Sequence, residues 1–212
     1  MSKCSSSLSS SHHNLALRGQ VGALHAGSGD VVALCGDIGS GKTCWLERLA
    51  GLRVLPAGLS VRLDEKEPGK TSQSVRMLFD RWPRMWLGQT VAEELSFGLK
   101  QQAVEQELVE VLAAWDLSGL SLSTDVDCLN RLQSLQVSLA TMQLARPALA
   151  LLDNPTDALP AELAVQVAGK IADWAAQSDT IIVVACNRWH DWRDRTTQTW
   201  QVRSADALPC PI

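Results

Sequence analysis

Two short stretches hold residue types that act on phosphate and metal. GDIGSGKT, Gly36 to Thr43, has the spacing G-x-x-x-x-G-K-[ST]. Glycine tolerates backbone conformations and close approaches that a side chain forbids, so such a loop can crowd its N–H groups around phosphate oxygens. Lys42 is then placed to reach β- and γ-phosphates, and Thr43 to offer its hydroxyl to Mg2+. The predicted nucleotide-binding segment is Gly36, Asp37, Ile38, Gly39, Ser40, Gly41, Lys42, Thr43 and Cys44. The second stretch, LLDNPTD from Leu151 to Asp157, ends an apolar run on an aspartate. Asp153 has two readings: a magnesium partner beside Thr43, or a cap on the turn that Asn154 and Pro155 begin. The phosphate loop favours the first.

These groups need a strand that delivers them and a helix that points its N-terminus at the phosphates. DVVALC (Asp30 to Cys35) precedes the loop and TCWLERLAGL follows it, the strand and helix that the mechanism demands. Further strands are predicted over Leu59 to Leu63, Ser74 to Phe79, Ala148 to Asp153 and Thr180 to Cys186. Alternation of such strands with helical spacing indicates an α/β core with a parallel sheet. From about Thr90 to Arg146 strand signals vanish. Val104, Leu108, Val111, Leu112 and Trp115 fall at helical intervals, so this part reads as a helical insertion. Leu163, Val167, Ile171 and Trp174 form one stripe of a helix over Ala161 to Ala176, suited to packing on a sheet.

The 212 residues fit one domain with an insertion and suffice for a large core, with 46% hydrophobic and 20% charged residues. A net charge of −4 gives no footprint for nucleic acid. IIVVAC is far shorter than the roughly eighteen apolar residues of a membrane span. The serine-rich opening MSKCSSSLSSSHHN lacks an apolar h-region; residues 1–14 are expected to be a disordered tail, neither signal peptide nor lipoprotein leader, with the folded domain over 15–212. Six cysteines without a CxxC pair argue against zinc and disulfide scaffolds and for a reducing cytoplasm.

Three stretches, GDIGSGKTCWLERLAGL, TVAEELSFGL (Thr90 to Leu99) and LARPALALLDNPTDAL, together resemble the nucleotide-binding domains of ATP-binding cassette (ABC) ATPases, and more narrowly those of cobalt and energy-coupling-factor importers. The likeness runs from about Val21 to Val202. It implies a P-loop NTPase fold, α/β with a RecA-like, mostly parallel sheet and a helical ABC-type subdomain at about 82–145. It also implies ATP and Mg2+ as cofactors, with Thr43 and Asp153 at the metal. Implied partners are a homologous ATPase subunit, as hetero- or homodimer, and an integral membrane permease, with the chain peripheral on the cytoplasmic face.

Other functional residues of the family do not transfer. The water-polarising glutamate falls on Asn154, the Q-loop glutamine on Asp80 and the signature L-S-G-G-Q on Leu129 to Gln133, which reads LNRLQ. The switch histidine falls on Cys186 and the D-loop aspartate on Pro160. An adenine-stacking aromatic has no counterpart, since upstream of the loop only His12, His13 and His25 could stack. An amide is essentially non-basic, and lost general-base assistance costs about 10²- to 10⁴-fold. The expectation is an ATP-binding subunit deficient in hydrolysis, acting as the degenerate half of an ATPase dimer. Two alternatives stand beside it: an active ATPase using Asp80 or Asp157 as base, and a scaffold without a transporter. DRWPRMW, Asp80 to Trp86, reads either as an apolar docking surface for a membrane subunit or as helical core.

Overall fold

The computed structural model describes residues 12–20, 22–68, 74–81, 84–99 and 103–212. Along the chain the strands are β1 (Asn14–Gly19), β2 (Gly22–Gly27), β3 (Val31–Cys35), β4 (Ser60–Leu63), β5 (Val75–Leu78), β6 (Leu149–Asp153), β7 (Ile181–Ala185), β8 (Gln198–Gln201) and β9 (Cys210–Pro211). The helices are α1 (Lys42–Leu49), α2 (Val91–Ser96), α3 (Glu105–Ala114), α4 (Arg131–Leu144) and α5 (Ala161–Gln177). All five predicted strands are present within a residue or so of their expected bounds.

The main sheet runs β5-β6-β7-β3-β8-β9, parallel throughout except for the β8–β9 pair. Its central strands are apolar on both faces, as parallel strands covered on two sides must be. The period-2 alternation divides them cleanly. Val32, Leu34, Leu149, Leu151, Ile181 and Val183 pack toward α1 and the small sheet, while Val31, Ala33, Ala150, Leu152, Ile182 and Val184 pack toward α4 and α5.

Leu59 to Leu63 does form a strand, but in the other sheet. β4 pairs antiparallel with β1, whose opposite edge takes β2. The parallel core therefore has one fewer member from the predicted set and gains β8, which the sequence pattern did not single out. The expected tail of residues 1–14 is also corrected at its end. His13 Nδ1 lies 2.7 Å from Asp64 and its N–H donates to Ser28, while the Asn14 N–H donates to Asp64 and opens β1. These pairings hold the chain before residue 15; residues 1–11 lie outside the described residues.

Between β5 and β6 the described chain is helical. The TVAEEL stretch explains itself structurally. Thr90 caps α2 by accepting from the Glu93 N–H at 3.3 Å, and the Glu93 carboxylate accepts from Gln89 and Thr90 N–H, closing a capping box. Buried Glu94 accepts from the Leu87 and Gly88 N–H groups, each at 2.9 Å. Both glutamates are spent on backbone, so this motif builds rather than reacts.

Trp115 ties the insertion to the core. It is 1% exposed, donates from Nε1 to Gln143 on α4 at 2.7 Å, and meets Trp174 of α5 edge to face at 6.3 Å. Val104, by contrast, is exposed at the N-cap of α3 and does not join the stripe expected of it. Replacing Trp115 by Ala should lower the unfolding free energy by about 3–5 kcal/mol, measured by chemical denaturation. Trp115→Phe should lose less, since it keeps an aromatic ring against Trp174 while giving up the hydrogen bond to Gln143 and part of the ring volume.

Candidate nucleotide site

Strand β3 ends at Cys35 and the phosphate loop leaves the sheet at Gly36. Glycines supply the positive φ angles it needs, 154° at Gly36, 83° at Gly39 and 100° at Gly41. Two are also required by space. A Cβ on Gly36 would lie 2.3 Å from the Val202 carbonyl oxygen, and one on Gly41 would lie 2.7 Å from Ala205. Gly41 caps α1, and Lys42, Thr43 and Cys44 form its first turn. Asp37, Ile38 and Gly39 face solvent, Ile38 at 91% exposure.

Lys42 is buried, and its ammonium donates to the Gly36 carbonyl at 2.7 Å and the Asp37 carbonyl at 3.1 Å. It thus rests inside the curl of its own loop, where incoming phosphate oxygens would compete for it. Ser40 Oγ is buried without a partner. An orphaned hydroxyl beside a lysine and turned-in backbone suits an anionic ligand with several acceptor oxygens.

Asp153 ends β6, and parallel pairing with β7 and then β3 carries it to the same edge of the sheet as the loop. The Thr43 hydroxyl donates to Asp153 Oδ1 at 3.2 Å. Burial pushes the Asp153 carboxyl above the ordinary carboxylate range, with the Thr43 hydrogen bond opposing and the nearby Asp80 adding to the shift. A buried carboxylate that lacks a full counter-charge, set against a threonine hydroxyl, is a donor set for a hard divalent cation. Thr43 and Asp153, the two expected metal ligands, are therefore neighbours.

Asn154 has φ 46°, a left-handed conformation that asparagine adopts more readily than glutamate does. Its Nδ2 donates to Asp153 Oδ1 at 3.1 Å and to Asp80 Oδ2 at 3.4 Å, while its Oδ1 is buried without a partner. Two flanking carboxylates, which only accept, fix the amide orientation. Asp80, Arg84, Arg131, Asp153 and Asn154 line a small cavity of about 30 Å³. Burial and then the neighbouring Arg131 charge push the Arg84 guanidinium below its ordinary value. Trp82 and Pro83 lie outside the described residues; Met85 is exposed and Trp86 half-buried against the helical core.

The LNRLQ stretch starts α4. Asn130 Oδ1 accepts from the Gln133 N–H at 2.9 Å, and Gln133 Oε1 accepts from the Asn130 N–H at 3.1 Å. This N-x-x-Q capping box was legible in the sequence and went unrecognised there. Cys186 is buried with its sulfur 3.8 Å from the Cys35 sulfur, and Pro160 holds the N-cap position of α5, its carbonyl accepting from the Ala164 N–H at 2.9 Å. Asp157 accepts from Asn187 Nδ2 at 2.6 Å and keeps its second oxygen buried without a partner. His13 is engaged by Asp64, and His12 and His25 are exposed.

One contributor left no signal in the sequence. The segment after β8 folds across α1: Trp45 Nε1 donates to the Ser204 carbonyl at 3.4 Å, and the buried Arg48 donates to the Ala205 carbonyl and to Asp206. It walls one side of the phosphate loop with Val202 and Ala205. No spacing rule connects residues this far apart.

Comparison with known proteins agrees with this geometry. The family model described as ABC transporter matches residues 22–157, more than half of the chain. The thiamine import ATP-binding protein ThiQ of Haemophilus influenzae is 29% identical over 171 residues, covering 78% of this chain and 79% of that protein. The energy-coupling factor transporter ATP-binding protein EcfA1 of Bacillus licheniformis is 27% identical over 146 residues, covering 65% of this chain and 52% of its own. A crystal structure of a nucleotide-free ATP-binding cassette from an ABC transporter superposes with a TM-score of 0.73 over 92% of this chain and 89% of its own, at 15% identity. Phosphate loop, strand-end aspartate, helical insertion and matched segment agree, and the chain belongs to the ABC transporter family, with the P-loop NTPase fold of its ATP-binding cassettes.

Proposed function

We propose that this chain is the ATP-binding subunit of a membrane transporter that holds Mg·ATP but hydrolyses it little, serving as the degenerate half of an ATPase dimer on the cytoplasmic face of a membrane. Asn154 is the observation that carries the proposal. Where the family's water-polarising glutamate would stand is an amide whose Nδ2 is spent on Asp153 and Asp80. It is a donor on that side and has no basic site to take a proton.

Binding draws on what is intact. Lys42 exchanges the Gly36 and Asp37 carbonyls for phosphate oxygens, the N–H groups of Gly39 and of Gly41 to Cys44 at the N-terminus of α1 surround the anion, and Thr43 and Asp153 hold the cation. When bound, the Mg2+ neutralises phosphate charge. Turnover draws on what has changed. In the family a partner's nucleotide meets a serine and glycines of the signature; here Asn130 and Gln133 bond each other and Arg131 brings a side chain. The chain would thus serve a partner's nucleotide poorly as well as its own. Among the described residues no helix is long and apolar enough to cross a membrane. Attachment to a permease is therefore proposed through the exposed Phe79 and Met85 beside Arg81 and Arg84, around a groove of about 350 Å³.

A second reading is favoured by one contact. Asp80 stands at hydrogen-bond distance from Asn154, so a carboxylate is present near the vacated position and could act as base.

Purified, reduced protein should bind Mg·ATP in calorimetry, and Lys42→Ala should weaken that binding roughly ten- to hundredfold, the worth of a hydrogen bond to a charged group. Steady-state phosphate release by the wild type should stay near background. Asn154→Glu should raise it by less than about tenfold, because general-base help is only one of the altered steps. Robust wild-type turnover that disappears in Asp80→Asn would establish the second reading instead.

A further inference from the structure

The base of the phosphate loop holds a pair of thiols that nucleotide binding does not use. Cys35 is the last residue of β3, immediately before Gly36, and Cys186 directly follows β7. The β3–β7 register pairs Leu34 with Ala185, so the two cysteines are the next pair in line. Their sulfurs lie 3.8 Å apart. Neighbouring strands run about 4.7–4.9 Å apart, inside the roughly 4.4–6.8 Å of Cα separation that a disulfide spans. Closing the bond needs the sulfurs to approach to about 2.05 Å, a movement within reach of side-chain rotation and a small adjustment of the strand ends.

We propose that Cys35 and Cys186 form a reversible disulfide under peroxide, and that this bond locks the base of the phosphate loop to the end of β7 in its resting arrangement. Cys35 is the half-buried, reachable partner and Cys186 the buried one. The hydrogen bond from Cys186 holds the Cys35 thiol below its ordinary value, against burial and with help from the Lys42 charge, while the Cys186 thiol is pushed up. Exposure assigns the roles, since peroxide reaches the half-buried Cys35 before the buried Cys186. The Cys35 thiolate attacks a peroxide oxygen, the O–O bond breaks, and a sulfenic acid forms as the leaving hydroxide takes up a proton to become water. Cys186 sulfur then attacks the sulfenic sulfur, giving up its proton; the S–O bond breaks and a second water leaves. Two thiols and one peroxide become one disulfide and two waters, and a dithiol reverses the change by exchange.

The consequence follows from position. At Gly36 the backbone leaves no room for a side chain beside the Val202 carbonyl and Ser40, so the base of the loop is closely packed. Lys42 in the resting loop is bonded to the Gly36 and Asp37 carbonyls and must let go to meet phosphate. A crosslink at Cys35 opposes that release. The effect on nucleotide rests on the binding proposed above; the crosslink and the stiffening of the loop do not.

The full chain is treated with hydrogen peroxide, digested without reductant and mapped by mass spectrometry. A Cys35–Cys186 linked peptide that dithiothreitol removes, and that is missing in Cys35→Ala and Cys186→Ala, is expected. Sulfinic Cys35 with no linked peptide, or linkage only to Cys44, Cys128 or Cys210, overturns the site. Hydrogen exchange is read without nucleotide on peptides spanning residues 36–43 and 186–188. Slower exchange in the oxidised protein is expected, and unchanged exchange overturns the lock. Mg·ATP affinity should fall roughly tenfold on oxidation, about the effect of one misplaced hydrogen bond to a charged group. If the reduced protein binds no nucleotide, the function proposed above fails while mapping and exchange still decide the disulfide.

Discussion

Both faces of the main sheet must be covered, and nearly everything about the site follows from that constraint. Among the side chains of β3, β6 and β7 only Asp153 is charged, and all three strands are buried along their lengths apart from Cys35 at the end of β3. Chemistry is excluded from such strands except at their ends, because a polar group buried along them would lack water and find no partner. Parallel pairing then brings those ends to one edge. Asp153, Cys186 and the phosphate loop are far apart in sequence and adjacent in space because β6, β7 and β3 are consecutive in the sheet. This is the carboxyl edge, where open α/β sheets take their ligands.

At that edge the residues divide by whether their polar groups are satisfied within the chain. Ser40 Oγ, Asn154 Oδ1 and one oxygen of Asp157 are buried without partners, and Asp153 is a carboxylate that burial disfavours. Such groups are expensive alone and become favourable when a ligand completes them. Other positions are settled internally: Asn130 and Gln133 cap one another, the Pro160 carbonyl accepts from the Ala164 N–H, and Cys186 faces Cys35. Asn154 belongs to both sets, its nitrogen satisfied by Asp153 and Asp80 and its oxygen not.

Legibility in the sequence followed the range of the interaction. The phosphate loop, the strand-end aspartate and helix α5 were readable because each is specified within about ten to twenty residues, by glycine spacing, an apolar run or a helical stripe. Strands β1, β2, β8 and β9 were not. NLALRG and GALHAG carry glycines and charge that weaken a strand signal, and QTWQ has one buried side chain among four residues. Their identity comes from their neighbours, as β-propensity usually does. Ser60–Leu63 shows the same limit: its type was readable, but pairing with β1 rather than with the parallel sheet depends on Leu15↔Leu63 and Leu17↔Val61, a contact across more than forty residues. The wall built by Val202 and Ala205 is longer range still.

In the function proposed above, holding a nucleotide and turning it over would depend on different kinds of atom. Holding would rely on backbone N–H groups, on glycines that allow their arrangement, and on Lys42, Thr43 and Asp153, all within one chain. Much of that arrangement is also structural: Gly36 and Gly41 are fixed by the close approach of Val202 and Ala205, so altering the loop would disturb the fold around β8 and α1. Turnover, on the same proposal, would rely on side chains at positions 154, 186 and 130–133, where Cys186 is buried in the core, Asn154 is bonded to two carboxylates and Asn130 caps α4. At 130–133 the residues present supply local capping hydrogen bonds of their own. Packing thus ties the phosphate loop to the fold through Val202 and Ala205, while at 130–133 the contacts are those of a local helix cap.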